Sequence, residues 1–304
     1  MEQNIAELIK TIRSCFNFNI IKYKTLNNIK NYILEKKFNA LDKIQIQVKP
    51  QNNICSPNID TILNNNLSYF YTTLLEKIPY VNIELLNNNI KTLTITEVKK
   101  FINKFIIGYY RTTTNSIKIL KSSRKSFLFH EILHMSSSYY DKQNNIIYSG
   151  LSQTKDSKNI GIGLNEGYTE IICSRLFNTD NKVYYLEKNI CKMLEKLVDS
   201  KTLERCYFNA DLLSIIVELS KYDIRENIIL MIQKIDYINE LNRNKDNILN
   251  IELINETLND IYSTIINCYI RKSTIYNIPK DTINKDLSEL NKMCILKTQN
   301  KKRL

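Results

Sequence analysis

The chain has 304 residues, of which 43% are hydrophobic, and a formal net charge of +12 at pH 7. This length allows one or two globular domains, and no stretch approaches the 18 uninterrupted apolar residues that a membrane span needs. The charge would suit an anionic partner, but the one dense basic cluster, Lys301-Lys302-Arg303, accompanies no nucleic-acid motif. A nucleic-acid binder is therefore disfavoured.

Cysteine usage and the N-terminus both indicate a reducing compartment. The seven cysteines are odd in number and include no Cys-x-x-Cys pair, which argues against a disulfide framework and against a structural zinc cluster. The first residues, Met1 to Asn4, lack the basic segment and apolar core that open a signal peptide. We therefore expect a cytoplasmic protein with reduced thiols.

We assign residues 1–60 to an N-terminal segment that is predicted to contain helix, strand and loop. Apolar residues recur at helical spacing over residues 1–40. Residues 43–48 alternate between apolar and polar side chains, which predicts a short strand. The Pro, Asn and Ser content of residues 50–57 predicts a loop.

The next elements lead up to the motif that is most informative in this sequence. Helices are predicted at Leu67–Lys77 and at Glu97–Lys104. The run Phe105–Tyr110 is typical of a strand, Thr112–Asn115 of a turn, and Ser116–Leu120 of a second strand. A β-hairpin is therefore expected directly before that motif.

The two histidines of the chain frame the segment His130-Glu131-Ile132-Leu133-His134. Four residues are close to one helical turn, so both imidazoles project from one face and can share a metal ion. Glu131 lies where it can reach a water on that metal rather than the metal itself. His-Glu-x-x-His is the signature of zinc-dependent peptidases. Ser126 is the predicted N-cap of this helix, which should extend to about Ser137.

A catalytic zinc site takes three ligands from the protein and leaves a fourth position for water. No third histidine exists, which excludes a site of three histidines and leaves a cysteine or a carboxylate. Downstream, the segment Leu164–Glu170 reads Leu-Asn-Glu-Gly-Tyr-Thr-Glu. With the first motif it resembles the gluzincins, the clan of thermolysin-like peptidases and zinc aminopeptidases. The resemblance covers residues 108–177.

The resemblance implies roles for three residues of that second segment. Glu166, which follows Asn165, would be the third zinc ligand. Glu170 lies four residues further on the same helical face and would accept a hydrogen bond from a zinc-binding histidine. Gly167 would let the two motif helices approach each other closely.

The implied fold is α+β, with a zincin-like catalytic core in which a small mixed sheet borders the active-site helix. We place this core at residues 61–178, with an inserted polar hairpin or loop at residues 136–158. A mainly helical C-terminal lobe follows at residues 179–280, then a loose, polar and basic tail at residues 281–304. Apolar residues three and four positions apart predict the helices of the lobe at Tyr184–Val198, Ala210–Lys221, Glu226–Leu241 and Ile251–Ile270.

In zincin folds an edge strand borders the cleft, and a substrate peptide pairs with it by β-augmentation. The resemblance assigns this role to the strand before the motif helix. Its residues are Ser116, Ile117, Lys118 and Ile119, together with Leu120. An ordinary sheet hairpin is the alternative, since edge strands are common.

The resemblance also implies a reaction, the hydrolysis of a bond in a peptide or protein substrate with one zinc ion per chain. Glu131 would act as general base. The oxyanion also needs a donor, and no histidine is left for it, so a tyrosine, a lysine or an arginine must serve. Tyr168, Tyr148 and Tyr140 are candidates, although a helical residue two positions after Glu166 points away from it by about 200°.

A second interpretation keeps the metal site but not the catalysis. The chain would then be a catalytically inactive regulatory or interaction module with the same fold. The intact Glu131 argues against this interpretation, because a structural zinc site has no use for a general base.

Overall fold

The computed structural model describes residues 61–102, 106–179, 183–243 and 248–299, and in them it combines many helices with two small β-sheets. The α+β class predicted from the sequence is confirmed. The helix, strand and loop predicted for residues 1–60 lie outside the described residues. None of the described helices has the length and apolarity that crossing a membrane would require.

The elements follow one another in the order of the sequence. The described helices are α1 (Thr61–Lys77), α2 (Ile83–Thr92), α3 (Lys125–Ser136), α4 (Ile162–Phe177), α5 (Tyr185–Leu194), α6 (Ser200–Phe208), α7 (Leu212–Leu219), α8 (Arg225–Arg243), α9 (Ile248–Ile275) and α10 (Lys280–Gln299). The described strands are β1 (Thr94–Val98), β2 (Gly108–Arg111), β3 (Ser116–Leu120), β4 (Ser138–Asp141), β5 (Ile146–Ser149), β6 (Ser152–Lys155) and β7 (Lys158–Ile160). A 3₁₀ turn at Thr112–Thr114 joins β2 to β3.

The first sheet has the strand order β1-β3-β2, with β3 parallel to β1 and antiparallel to β2. It is therefore a small mixed sheet. Ile117 and Ile119 of β3 are buried, and the strand contacts the motif helix α3. Lys118 between them is exposed, so the sheet has one face toward the core and one toward solvent.

The prediction that β3 is an edge strand is wrong. Ser116, Ile117, Lys118 and Ile119 each lie between partners on β1 and β2, so both backbone edges of the strand are already hydrogen-bonded. The cause is β1, which the sequence did not reveal. The helix predicted at Glu97–Lys104 is also wrong, because its first two residues end β1 and the residues that follow to 102 are not helical.

The motif helix α3 has no side-chain cap at its start, whereas serine hydroxyls bond to its last turn. Its N-cap is Arg124, which makes no side-chain capping bond. Ser126 therefore lies inside the first turn, and the prediction that it caps the helix is wrong. At the other end, the hydroxyls of Ser136 and Ser138 donate to backbone carbonyls of the last turn, at 2.7 and 2.5 Å. Such bonds compete with continued helix and favour a stop here.

The predicted insertion between the two motifs is a four-stranded sheet in the order β4-β5-β6-β7. Its first two strands form an antiparallel hairpin in which Ser138 faces Ser149. The Asp141 carboxylate accepts two backbone N–H bonds in the turn of this hairpin. The hairpin predicted for this polar segment is confirmed.

Two glycines set the position of α4, the helix that carries the second motif. A Cβ on Gly163 would lie 2.7 Å from the carbonyl oxygen of Ile235 in α8. A Cβ on Gly167 would lie 2.5 Å from the carbonyl oxygen of Glu187 in α5. The close approach predicted at Gly167 is therefore present, but its partner is α5 and not the motif helix. Both contacts exclude any side chain larger than hydrogen.

The start of α4 is held by a carboxylate from α8. Asp236 accepts the backbone N–H groups of Gly161 and Gly163, each at 2.8 Å. A negative charge at a helix N-terminus satisfies donors that have no partner within the helix and interacts favourably with its dipole. The C-terminal helices thus fix the helix that bears Glu166.

The helices predicted for the C-terminal lobe are confirmed in type, and α6 is an additional one. The tail predicted to be loose from Asp281 onward is helical instead, as α10 up to Gln299. Leu290 of α10 is buried, and Lys196 donates to Asp286 at 2.8 Å. An apolar stripe and an ion pair therefore attach this helix.

Candidate metal centre

Helices α3 and α4 bring three side chains of the two motifs to one point. The Nε2 atoms of His130 and His134 lie 3.0 Å apart, and Glu166 Oε2 lies 3.0 Å from the first and 3.3 Å from the second. All three side chains are buried or nearly so. This group could hold a metal ion.

The separations match the geometry of a small tetrahedral ion. Ligand atoms at 2.0–2.1 Å from zinc in a tetrahedral arrangement lie about 3.3 Å from one another. The three observed distances between ligand atoms are 3.0, 3.0 and 3.3 Å. Two imidazoles and one carboxylate are also a donor set that zinc accepts in catalytic sites. The residues present therefore fit zinc.

The other nitrogen of each imidazole has a partner on α4. His130 Nδ1 lies 2.7 Å from Glu170 Oε1, and this carboxylate is almost completely buried. His134 Nδ1 lies 3.2 Å from Nδ2 of Asn165, whose Oδ1 accepts the backbone N–H of Leu151 at 3.2 Å. The Glu170 carboxylate can accept the Nδ1–H of His130 and so orients that ring with Nε2 toward the common point. The structure thus places Glu170 where the resemblance implied.

Charge is concentrated in this buried cluster. Burial lowers the pKa of His130, but hydrogen bonds to Glu166 and Glu170 outweigh it and hold that pKa well above its usual value. Burial raises the pKa of Glu166, yet His134 and His130 hold it well below the usual value of a glutamate. Buried carboxylates are costly without a compensating cation, which a divalent metal would supply.

Glu131 lies beside the three ligand atoms without joining them. Its carboxylate is buried, which raises its pKa, and it accepts a hydrogen bond from the backbone N–H of Tyr110 in β2. A Cβ on Gly108 of the same strand would lie 3.6 Å from Glu131 Cγ. The glutamate is therefore held against β2, close to the metal-binding group.

One contact of the site had no signal in the sequence. The ring of Tyr184 stacks on the imidazole of His130, with centroids 5.4 Å apart and an interplanar angle of 14°. Tyr184 directly precedes α5 and is separated from His130 by more than fifty residues, so no local pattern could have revealed it. The ring adds a second constraint on the orientation of this imidazole.

The three tyrosines considered for the oxyanion have other surroundings. The Tyr168 ring is fully buried, and its hydroxyl donates to the Ser200 carbonyl at 3.2 Å, as its direction along the helix had indicated. The Tyr140 hydroxyl donates to Asn145 in the β4–β5 hairpin at 2.9 Å. The Tyr148 ring stacks on Tyr139 of the opposite strand.

The placement of Tyr168 decides against a catalytic role, because its side chain is buried and its hydroxyl donates to the Ser200 carbonyl. For Tyr140 and Tyr148 the role stays a prediction.

Backbone direction identifies which strand edge faces the site. Tyr110 lies opposite Ile117 in the sheet, but its N–H donates to Glu131 and therefore points away from β3. In an antiparallel pair such outward groups alternate along the strand, so Gly108 presents its N–H and carbonyl in the same direction. Among the described strands β2 has no second neighbour, and this free edge borders the metal-binding group.

The combination of a buried metal-binding group, an adjacent carboxylate and a free strand edge can support hydrolysis of an extended polypeptide. No protein-family model, no curated protein and no solved structure matches the chain. The chemistry of this site therefore follows from its own geometry.

Proposed function

We propose that this chain is a zinc-dependent peptidase with a zincin-like core. The observation that carries the proposal is the convergence of His130, His134 and Glu166 to within 3.3 Å of one another beside Glu131. A site with a merely structural metal needs four protein ligands and no general base. Three ligands with a neighbouring carboxylate favour catalysis.

His130, His134 and Glu166 would hold the zinc ion, and Glu170 would keep the His130 ring in place. Bound zinc would lower the pKa of a water toward neutrality and polarise the carbonyl of the scissile bond. Glu131 accepts the proton of the attacking water at its carboxylate. It then delivers this proton to the nitrogen of the leaving amine as the bond breaks.

The free edge of β2 would position the substrate. The N–H of Tyr110 already donates to Glu131. A peptide that pairs with the outward N–H and carbonyl of Gly108 and with the outward carbonyl of Tyr110 extends the sheet by one strand. Its backbone then passes beside Glu131, which is held against this same edge. The substrate strand that the sequence assigned to β3 is thus reassigned to β2.

Substitution of Glu131 by Gln tests the proposal. The change removes the proton acceptor with little change in shape, so hydrolysis of an internally quenched peptide library should fall by about 10²- to 10⁴-fold. Zinc content should be unchanged, because Glu131 is not one of the ligands. Glu226, exposed at the start of α8, provides a matched Glu→Gln control that should keep full activity.

The outcomes separate the candidate functions. Undiminished hydrolysis by the Glu131→Gln variant would contradict the mechanism. A wild-type protein that binds zinc but cleaves no member of the library would instead favour a catalytically inactive metal-binding module.

A further inference from the structure

The positive charge of the chain is unevenly distributed. Residues 94–125, which include the first sheet, contain eight Lys or Arg residues and one Glu. Residues 126–299 contain 21 Lys or Arg residues and 23 Asp or Glu residues. The strands beside the metal-binding group are therefore strongly basic, whereas the rest of the described chain is close to neutral.

The pairing of β2 with β3 places some of these basic side chains on one face of the first sheet. Residues directly opposite each other share a face, so Lys118 of β3 lies with Tyr109 of β2, and Ser116 lies with Arg111. This is the solvent face, because Ile117 and Ile119 are buried on the other one. We call Tyr109, Arg111 and Lys118 the basic face.

The cations of this region have no carboxylate partner among the described residues. Arg111 lies 5.8 Å from the centroid of the Tyr109 ring, and no described carboxylate is within ion-pair distance of it or of Lys118. The same holds for the exposed residues Lys99, Lys100, Lys121, Arg124 and Lys125. Elsewhere in the chain, Arg175, Lys196 and Arg271 each pair with a carboxylate.

Strand addition at β2 would bring substrate side chains to this face. Side chains alternate between the two faces of a sheet, and a peptide paired with the free edge of β2 continues that alternation. Every second side chain of the peptide would lie on the solvent face, level with Tyr109 and Arg111. Unpaired cations at this position complement carboxylates and disfavour Lys or Arg.

We propose that the peptide recognised along β2 is acidic, with Asp or Glu at alternate positions on the solvent face, beside Arg111 of β2 and one strand away from Lys118 of β3. This inference rests on the proposed peptidase function and names the substrate class of that site. A strand edge with outward N–H and carbonyl groups pairs with a polypeptide backbone, which a nucleic acid does not provide. A basic surface alone would not distinguish the two partners; the free edge favours the peptide.

Cleavage specificity gives the first test. The zinc-loaded protein is incubated with synthetic dodecapeptide libraries that fix one residue at each position in a degenerate background. Cleaved products are then sequenced. Asp and Glu should be enriched about fivefold over Lys and Arg at alternate positions on one side of the cleaved bond. The enrichment should decline between 50 and 500 mM salt, because exposed charges are screened.

Charge reversal at Lys118 gives the second test. Lys118→Glu replaces an attraction with a repulsion, so cleavage of acidic peptides should fall by about tenfold and cleavage of lysine-containing peptides should rise. Lys201→Glu is the matched control, since Lys201 is exposed at the start of α6 and the change in net charge is the same. The control should retain the wild-type preference.

Binding separates this inference from the proposed function. A fluorescein-labelled dodecapeptide with alternating Glu is titrated into the Glu131→Gln protein and followed by fluorescence anisotropy. Binding that Lys118→Glu weakens supports the inference even if no peptide is cleaved. Equal cleavage of acidic and neutral peptides, absence of this binding, or tighter binding of a single-stranded oligonucleotide would overturn it.

Discussion

Glu170 contacts one imidazole of the candidate metal site through a single buried contact. Its Oε1 lies 2.7 Å from His130 Nδ1, and the stacked ring of Tyr184 constrains the same imidazole from another side. A ring held at Nδ1 keeps Nε2 directed at the metal position. The loss of such a partner typically weakens metal binding by about 10- to 100-fold.

Replacement of Glu170 should therefore reduce zinc affinity in a graded way. Glu170→Gln keeps an acceptor oxygen and should have a small effect, whereas Glu170→Ala should weaken zinc binding by about 10- to 100-fold. The dissociation constant is measured by competition with a chromogenic chelator, with Glu226→Ala as a surface control. If Glu170→Ala binds zinc as tightly as the wild type, this carboxylate does not orient His130.

The sequence was informative at the residue scale wherever chemistry is local. His130 and His134 lie one helical turn apart, and Glu166 and Glu170 are related in the same way, so spacing alone predicted which side chains share a face. Contacts between distant segments gave no such signal. The stacking of Tyr184 on His130 depends on how α5 packs, which no short pattern encodes.

Helix α4 can pack closely against α5 because residue 167 is a glycine and has no side chain. A Cβ on Gly167 would lie 2.5 Å from the backbone carbon and oxygen of Glu187, and backbone cannot move aside as a flexible side chain can. Gly167→Ala would force α4 and α5 apart. Because α4 carries Glu166, the metal-binding group would move with it.

Gly167→Ala should destabilise the protein by about 1–3 kcal/mol, the usual cost of overpacking. The free energy of unfolding is measured by urea titration. Lys192→Ala on the exposed side of α5 serves as the control and should change it by less than about 0.5 kcal/mol. A Gly167→Ala protein as stable as the wild type would show that the two helices have room to separate.

Helix α10 is attached through Asp286, which contacts Lys196 in the segment after α5 and Tyr269 of α9. Asp286 accepts hydrogen bonds from Lys196 at 2.8 Å and from the hydroxyl of Tyr269. Burial raises the pKa of Asp286, but these two donors outweigh it and lower the pKa below the usual value. The contribution is therefore present at neutral pH and lost as the pH falls through that lowered pKa.

Asp286→Asn should lower the free energy of unfolding by about 1 kcal/mol at pH 7, a modest value because the pair is partly exposed to solvent. Below the lowered pKa of Asp286 the wild-type carboxyl is protonated, so the difference between the two proteins should shrink. Urea titrations of both proteins at a series of pH values that falls from pH 7 to well below the ordinary pKa of an aspartate measure this change. If the difference in unfolding free energy stays constant with pH, the charge of Asp286 does not contribute to the packing of α10.

Elements were predictable where apolar periodicity was strong, and two errors show where it was weak. β1 has the sequence Thr-Ile-Thr-Glu-Val and is mostly exposed, so it lacked the apolar alternation of a half-buried strand. Because this pattern does not reveal β1, the sequence predicts β3 as an edge strand. In α10, Ile283, Leu287 and Leu290 are spaced as one helical face, but the polar residues around them suggested a loose tail.

In the whole molecule, the helices that follow the two motifs also hold helix α4, which carries Glu166, in position. Asp236 of α8 caps α4, and the backbone of α5 at Glu187 fits against Gly167. The prediction that residues 61–178 form a catalytic core and residues 179–280 a separate lobe stays a prediction. These contacts mean that truncation after residue 178 should cost the metal site its geometry.

Zinc content is the most direct test of the site formed by His130, His134 and Glu166. Untagged wild-type protein, Glu166→Ala and the surface control Glu226→Ala are purified without chelators and analysed for metal by mass spectrometry. We expect one zinc ion per chain in the wild type and in the control, and a loss of zinc from Glu166→Ala, because two imidazoles alone hold the ion weakly. A wild type without zinc even after supplementation, or a Glu166→Ala protein that retains it fully, would contradict the proposed site.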